Sequence, residues 1–128
     1  MVSTAIIGCA GYTGQETLDR VLAHPHLELH ALGSNSLAGK EAPSLDPRLH
    51  RARGRGLPHF ITQEAALAAG ADVTFLCVSH EESSQVEVAG GGIVIDLSGG
   101  HRLKDPALYE QWYRFDHPHP EVLGDWVY

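Results

Sequence analysis

Val2-Ser3-Thr4-Ala5-Ile6-Ile7-Gly8-Cys9-Ala10-Gly11-Tyr12-Thr13-Gly14 opens the chain, and its reading decides the fold. Ala5-Ile6-Ile7 is a short apolar run closed by Gly8, which is the pattern of a buried strand. Across residues 14–23, Leu18, Val21 and Leu22 recur at i, i+3 and i+4, the stripe of an amphipathic helix, and Pro25 stops it. Gly8, Gly11 and Gly14 stand between strand and helix in a G-x-x-G-x-x-G pattern. Such a turn has a mechanical use. One glycine permits the tight turn, a second lets the backbone approach a diphosphate, and a third lets helix and strand pack closely. Amides of the first helical turn then face the anion, aided by the helix dipole. Gly8, Ala10, Gly11, Tyr12, Thr13 and Gly14 are therefore predicted to bind a cofactor, with Thr13 adding a hydroxyl. The alternative is a strand–helix turn with no ligand; the position directly after a strand and before a helix favours the dinucleotide.

Working outward, residues 27–33 alternate Leu27, Leu29 and Ala31 against Glu28 and His30 and predict a second strand. Residues 34–56 are polar, basic in their second half and rich in turn formers, and predict a long excursion. A short third strand is expected over 57–61. Thr62 can cap a helix over 63–69, which Gly70 closes. Val73-Thr74-Phe75-Leu76-Cys77-Val78 lies in a fourth strand over 72–78. A helix with an acidic first turn follows over 81–89. Ile93-Val94-Ile95 is expected to be a fifth, buried strand, entered through Gly90-Gly91-Gly92. Asp105-Pro106 starts a last helix that runs to about Tyr113. The tail from Phe115 is rich in Pro and His and is expected to be irregular. Unalternated apolar strands separated by helices imply a parallel sheet covered on both faces. The predicted class is α/β, a Rossmann-type doubly wound, mostly parallel sheet, with residues 1–128 forming one dinucleotide-binding domain.

The chain has 128 residues, room for one domain with a real core. Its net charge of −7 argues against nucleic acid or an anionic membrane as partner. A phosphorylated ligand stays compatible, because backbone amides and one or two local cations hold a phosphate. No apolar run approaches the roughly 20 residues that span a bilayer. The N-terminus lacks the basic and apolar regions of a signal peptide, so a cytoplasmic protein is expected. Cys9 and Cys77 give neither metal spacing nor a disulfide framework, and read as small reduced side chains in apolar surroundings.

Which nicotinamide cofactor is bound should be decided after the second strand. NAD-specific units carry Asp or Glu there, to accept from the ribose 2′-hydroxyl. Here the segment reads Ala31-Leu32-Gly33-Ser34-Asn35-Ser36, with Lys40 following. Two hydroxyls, an amide and a cation suit a 2′-phosphate, and no carboxylate repels it. Ser34, Asn35, Ser36 and Lys40 are predicted to bind NADP(H); a plain polar loop is the alternative.

The Gly8–Gly14 turn, Ala38-Gly39-Lys40, Phe75-Leu76-Cys77-Val78-Ser79-His80, Ile95-Asp96-Leu97-Ser98, Arg102-Leu103-Lys104-Asp105-Pro106, Tyr109 and Trp112-Tyr113 occur in order. Together they resemble the N-acetyl-γ-glutamyl-phosphate reductases of arginine biosynthesis, with aspartate-semialdehyde dehydrogenases as more distant kin. The resemblance covers essentially the whole chain. It implies a two-domain, NADPH-dependent oxidoreductase acting on a small acyl phosphate through a cysteine thioester. In such proteins the nucleophilic Cys follows a Tyr-Gly-Leu-Pro-Glu-like segment. The sequence stops at Val127-Tyr128, just short of it, so no catalytic residue is expected here and the chain alone is expected to be inactive. By resemblance Ser98 and Arg102 bind substrate, and Ser79 and His80 contact the nicotinamide side. Their alternatives are a structural ion pair or solvated Arg, and a helix cap. Three departures stand out: Ser79-His80-Glu81 in place of Pro-His-Gly, Gly99-Gly100-His101 in place of Ala-Asp-Phe, and a shorter helix before Asp96.

His117-Pro118-His119-Pro120 is expected to be a surface loop rather than a metal site, since extended backbone points alternate residues apart. Arg48, Arg51, Arg53 and Arg55 either approach the adenosine phosphate or are solvated. Competing functions are a free-standing NADP(H) sensor, or the cofactor domain of an aspartate-semialdehyde dehydrogenase or aminoadipyl-phosphate reductase. Homo-oligomerisation is compatible with the sequence.

Overall fold

Strand β1 (Val2–Ile7) is fully buried over its last four residues, because both of its faces are small or apolar. The computed structural model describes residues 1–41, 56–87 and 91–128. β1 is the middle of a five-stranded sheet with β2 (Leu27–Gly33), β3 (Phe60–Ile61), β4 (Val73–Leu76) and β5 (Ile93–Asp96). The order is β3-β2-β1-β4-β5 and every pairing is parallel. Ile6 sits beside Leu32 on one side and Phe75 on the other. The order reverses between β2 and β4 about β1, so the crevice at the carboxyl ends of β1 and β4 is the switch point where such sheets bind ligands.

Helices α1 (Tyr12–Ala23), α2 (Gln63–Leu67), α3 (His80–Ser84) and α4 (Ala107–Tyr113) complete the fold. Alternation along β1 feeds two cores. Ile6 packs with Leu18 and Val21 of α1, Leu32 and Phe60. Ala5 and Ile7 face the other way, toward Ala31, Leu76 and Ala66 of α2. Each isoleucine so buried contributes about 1.5–3 kcal/mol. A side chain at Gly33 would come within 2.9 Å of the Ala66 methyl, which is why α2 lies close on β2. A third cluster of Tyr109, Phe115 and Leu123 roots α4 and the tail. Ser3 and Asp72 tie the start of β1 to the start of β4: Ser3 donates to Asp72 Oδ2 from its amide (2.8 Å) and hydroxyl (2.7 Å), and the Asp72 amide donates back to Ser3 Oγ (2.9 Å).

The expected strands and helices are present, with shifted ends, but β5 is not buried as expected: it is an edge strand, and Ile93 and Ile95 are exposed. α1 starts at Tyr12 rather than Gly14, because Gly11 takes the extended conformation of an N-cap. α2 stops two residues early. α3 spans His80–Ser84 rather than 81–89, and residues 88–90 lie outside the described ones. The excursion after β2 begins with a return to the sheet. Gly39 donates to the Phe60 carbonyl (2.7 Å), Phe60 donates to Lys40 (2.9 Å), and Glu41 bridges His59. The cluster Arg48, Arg51, Arg53 and Arg55 lies outside the described residues.

The tail departs furthest from expectation. It contains a 3₁₀ turn at Pro120–Val122 and is strapped down by Lys104, whose ammonium donates to the carbonyls of Leu123 (3.1 Å), Gly124 (3.3 Å) and Trp126. His117 was expected on a surface loop; it is buried instead. Its Nε2 donates to the Gly100 carbonyl (2.8 Å) and its Nδ1 accepts from the His119 amide (3.1 Å). Burial pushes its pKa below the usual histidine value. The two nitrogens are thus committed to the backbone, a pairing that Pro-His spacing does not announce.

Candidate functional site

The glycine turn is built from three residues with different reasons. Gly8 has φ +81°, which disfavours any side chain, and a Cβ there would lie 2.5 Å from the Cys77 carbonyl oxygen. A Cβ on Gly14 would overlap Cys9 Cα and the Gly8 carbonyl oxygen. These two glycines are required by the fold itself. Gly11 is not: its φ is −78°, and a Cβ would meet only the Gly8 carbonyl oxygen, at 3.8 Å. Packing among the described residues does not account for the missing side chain at Gly11.

The helix that follows is also distinctive at its start. Thr62 caps α2 by accepting from the Ala65 amide (3.2 Å), and Ser79 caps α3 by accepting from Glu82 (3.3 Å). α1 has no side-chain cap. Its first intrahelical bond runs from the Gln15 amide to the Gly11 carbonyl (3.0 Å), so the amides of Tyr12, Thr13 and Gly14 have no acceptor within the helix. Thr13 and Tyr12 are exposed at this end, and the Ala10 carbonyl accepts from Gln15 Nε2 (3.0 Å).

Beside the turn, after β2, Ser34 is buried with its hydroxyl 3.3 Å from that of Ser36. Asn35 Oδ1 accepts from the Gln63 amide at the start of α2 (3.0 Å). Lys40 is exposed. The structure brings Ser34, Asn35 and Ser36 to the carboxyl end of the sheet next to the glycine turn, and it also gives Asn35 a structural bond.

Across β1 lie the remaining predicted residues. Ser79 uses its hydroxyl as the α3 cap, the alternative that sequence reading left open. His80 Nδ1 accepts from the Gly99 amide (2.7 Å), and its ring lies 4.6 Å from that of Tyr113. Arg102 donates to the Ser98 carbonyl (3.2 Å) and to the Tyr113 hydroxyl (3.3 Å), and its guanidinium stands 5.1 Å from the centre of the Tyr128 ring. Ser98 Oγ accepts from Gly100 (2.9 Å). Ser98 and Arg102 thus meet, and His80 adjoins them through Gly99 and Tyr113.

The network beneath them centres on a residue that sequence reading did not single out. Asp96 at the end of β5 accepts from Ser83 Oγ (2.7 Å), the Ser98 amide (2.8 Å) and His101 Nδ1 (2.8 Å). Burial alone would raise the Asp96 pKa, but hydrogen bonds from His101, Ser98 and Ser83 outweigh it and hold the carboxyl at about 2. His101 is itself buried and stacked on Trp126, with ring centres 3.9 Å apart. Gly100 is needed here, since a Cβ would come within 2.8 Å of the His80 carbonyl oxygen. The Gly-Gly-His departure is therefore a packing solution of its own, with His101 in a buried place and Asp96 as its partner.

Neither cysteine resembles a nucleophile. Burial pushes the Cys9 thiol up to about 12, and Cys9 Sγ donates to the Gly33 carbonyl (3.2 Å). Burial also raises the Cys77 thiol, which lies 3.6 Å from Thr17 Oγ1. An activated cysteine needs the opposite shift.

With this geometry in place, residues 3–128 match the family described as semialdehyde dehydrogenase, NAD binding domain. The chain belongs to that family. Two relatives illustrate the range within it. A Thermomicrobium roseum protein named for LysW-L-2-aminoadipate 6-phosphate reductase is 42% identical over 133 residues, covering 100% of this chain and 36% of its own length. An N-acetyl-gamma-glutamyl-phosphate reductase of Dehalococcoides mccartyi is also 42% identical, over 98% of this chain and 36% of its own length. This semialdehyde dehydrogenase domain therefore spans about a third of the curated relatives it matches. Its fold is similar to that of an aspartate semialdehyde dehydrogenase from Candida albicans, whose crystal structure was solved with NADP. The TM-score is 0.59 at 20% identity, over 83% of this chain and 32% of that one. Among the described residues no helix is long and apolar enough to cross a membrane.

Proposed function

We propose that this chain is the NADP(H)-binding portion of an acyl-phosphate reductase of the N-acetyl-γ-glutamyl-phosphate type, forming a semialdehyde in arginine biosynthesis. The observation that carries the reading is Gly11. Its side chain is absent although its backbone and surroundings would accept one, and it directly precedes three helix-start amides without intrahelical acceptors. A diphosphate approaching the backbone at that corner supplies the reason that packing does not. Strand order supports a dinucleotide lying across the sheet. The adenosine end falls at Ser34, Asn35, Ser36 and Lys40 after β2, the diphosphate at Gly8–Gly14 after β1, and the nicotinamide end at Ser79 and His80 after β4. When bound, the nicotinamide supplies a hydride. Ser98 and Arg102 provide a hydroxyl and a cation for the anionic acyl phosphate.

NADP(H) is favoured over NAD(H) because no carboxylate follows β2, and NADP accompanies the structurally similar protein. Fluorescence titration of the chain with NADPH and NADH tests this, with tighter NADPH binding expected. Equal or tighter NADH binding overturns the preference, and no binding of either overturns the function. The nucleophilic Cys is assigned to a part of the enzyme outside residues 1–128, so no acyl-phosphate turnover is expected from this chain alone. A LysW-aminoadipate phosphate reductase is the second reading, favoured by an equally similar relative of that name.

A further inference from the structure

We propose that His80 is a single-tautomer hydrogen-bond donor, held with its proton on Nε2 by the Gly99 amide, and that it recognises an oxygen of the nicotinamide riboside half of the cofactor. This deepens the cofactor reading above and rests on it.

The argument starts from the direction of one hydrogen bond. The Gly99 N–H points at His80 Nδ1 over 2.7 Å. A backbone amide only donates, so Nδ1 must carry a lone pair, and the proton of the neutral ring must sit on Nε2. Among the described residues Nε2 has no hydrogen-bond partner, and His80 is exposed at the mouth of the crevice. The ring is also fixed in orientation. Tyr113 lies against it at 4.6 Å, and the Tyr113 hydroxyl accepts from Arg102. Gly99 makes this arrangement possible, since a Cβ there would overlap the Tyr113 phenol. An oriented ring with one free donor selects an acceptor, and a ligand oxygen is the acceptor it fits.

Strand order says which oxygen. His80 follows β4, and the residue that locks it follows β5. Both are on the far side of β1 from Ser34, Asn35, Ser36 and Lys40. A dinucleotide whose 2′-phosphate lies after β2 and whose diphosphate lies after β1 presents its nicotinamide riboside to β4 and β5. The acceptor is therefore a ribose hydroxyl or the carboxamide oxygen of that half. The same lock explains the Gly99-Gly100 pair as a positioning device: Gly99 supplies the amide and the room for Tyr113, while Gly100 lets the turn pass over the His80 carbonyl.

Two measurements on the 128-residue chain test the proposal. The first is ¹⁵N-resolved NMR of the histidine rings at alkaline pH, with the His80 signals assigned by their loss in His80→Asn. An Nε2–H tautomer with an unprotonated Nδ1 is expected; an Nδ1–H tautomer, or averaging between the two, overturns the lock. The second compares NADPH with 2′,5′-ADP, which lacks the nicotinamide riboside. His80→Asn keeps an acceptor near the Gly99 amide but no donor at the ε position, and should weaken NADPH about fivefold. His80→Gln places an N–H near the ε position and should stay within about twofold of the parent. Neither should change 2′,5′-ADP binding. NADPH binding unaltered in His80→Asn, or an equal loss for 2′,5′-ADP, overturns the assignment while leaving the cofactor reading intact. Parent protein that binds neither nucleotide overturns both.

Discussion

The three glycines after β1 are alike in sequence and unlike in the folded chain. The place a Cβ would take is filled at Gly8 and Gly14, whereas at Gly11 it has one neighbour, the Gly8 carbonyl oxygen, at ordinary contact distance. A methyl group at Gly14 collides with Cys9 Cα and with the Gly8 carbonyl oxygen, both backbone atoms that cannot swing away. Gly14→Ala should therefore lose several kcal/mol of stability or fail to fold, as overpacking against a rigid neighbour does. Gly11→Ala should keep the parent's unfolding midpoint within about 0.5 kcal/mol and yet lose at least about tenfold in NADPH affinity, since the methyl stands where a diphosphate would come. Denaturant melts alongside NADPH titrations of both variants read the contrast. Gly11→Ala binding as well as the parent would remove the support that the turn gives to a ligand.

At the level of elements, the sequence was most legible where periodicity and turn chemistry agreed. Leu18, Val21 and Leu22 placed α1, Thr62 marked the start of α2, and the Val73–Val78 run marked β4. Ends were less legible, because they depend on partners. β3 has two residues only, since Phe60 and Ile61 are the ones that reach β2, while Leu57 packs in the core outside the strand. The glycine turn between β1 and α1 could be read from sequence because glycine spacing reports backbone conformation. The Asp96–His101–Ser83–Ser98 network could not, because it joins β5, α3 and a turn through side chains that share no spacing rule. That network should govern acid stability. The Asp96 carboxyl is lowered from 3.8 to about 2, so its contribution is complete above pH 3.8 and is lost as pH falls toward 2. Its size is up to about 2 kcal/mol. Urea unfolding at pH 5 and at pH 2.5 should show that loss in the parent and a flatter dependence in Asp96→Asn. Equal slopes in both would place the acid-sensitive group elsewhere.

For the molecule as a whole, parallel order β3-β2-β1-β4-β5 follows from apolar strands alternating with helices, and the class was readable for that reason. The exposed face of β5, with Ile93 and Ile95, was not, because an apolar run reads as buried until the sheet order puts it at an edge. If the crevice at the carboxyl ends of β1 and β4 holds NADPH, binding must stabilise the entire domain by mass action. At about 100 times its Kd the gain is about 2.7 kcal/mol, equivalent to a rise in Tm of roughly 10 °C for a chain of this size. Differential scanning calorimetry with NADPH and NADH at equal concentration should show the larger rise with NADPH. An unchanged Tm at saturating nucleotide would count against the crevice as the site.

The mutual clasp of Ser3 and Asp72 joins residues 69 positions apart. It also sets a timetable. During synthesis β1 leaves the ribosome before β2, and its second neighbour is not made until β4 arrives. At about 5–20 residues per second, Ile6 and Ile7 wait several seconds with one flank unclothed. Only when Val73–Leu76 has been made can that flank be covered, and the clasp lies directly before it in the chain.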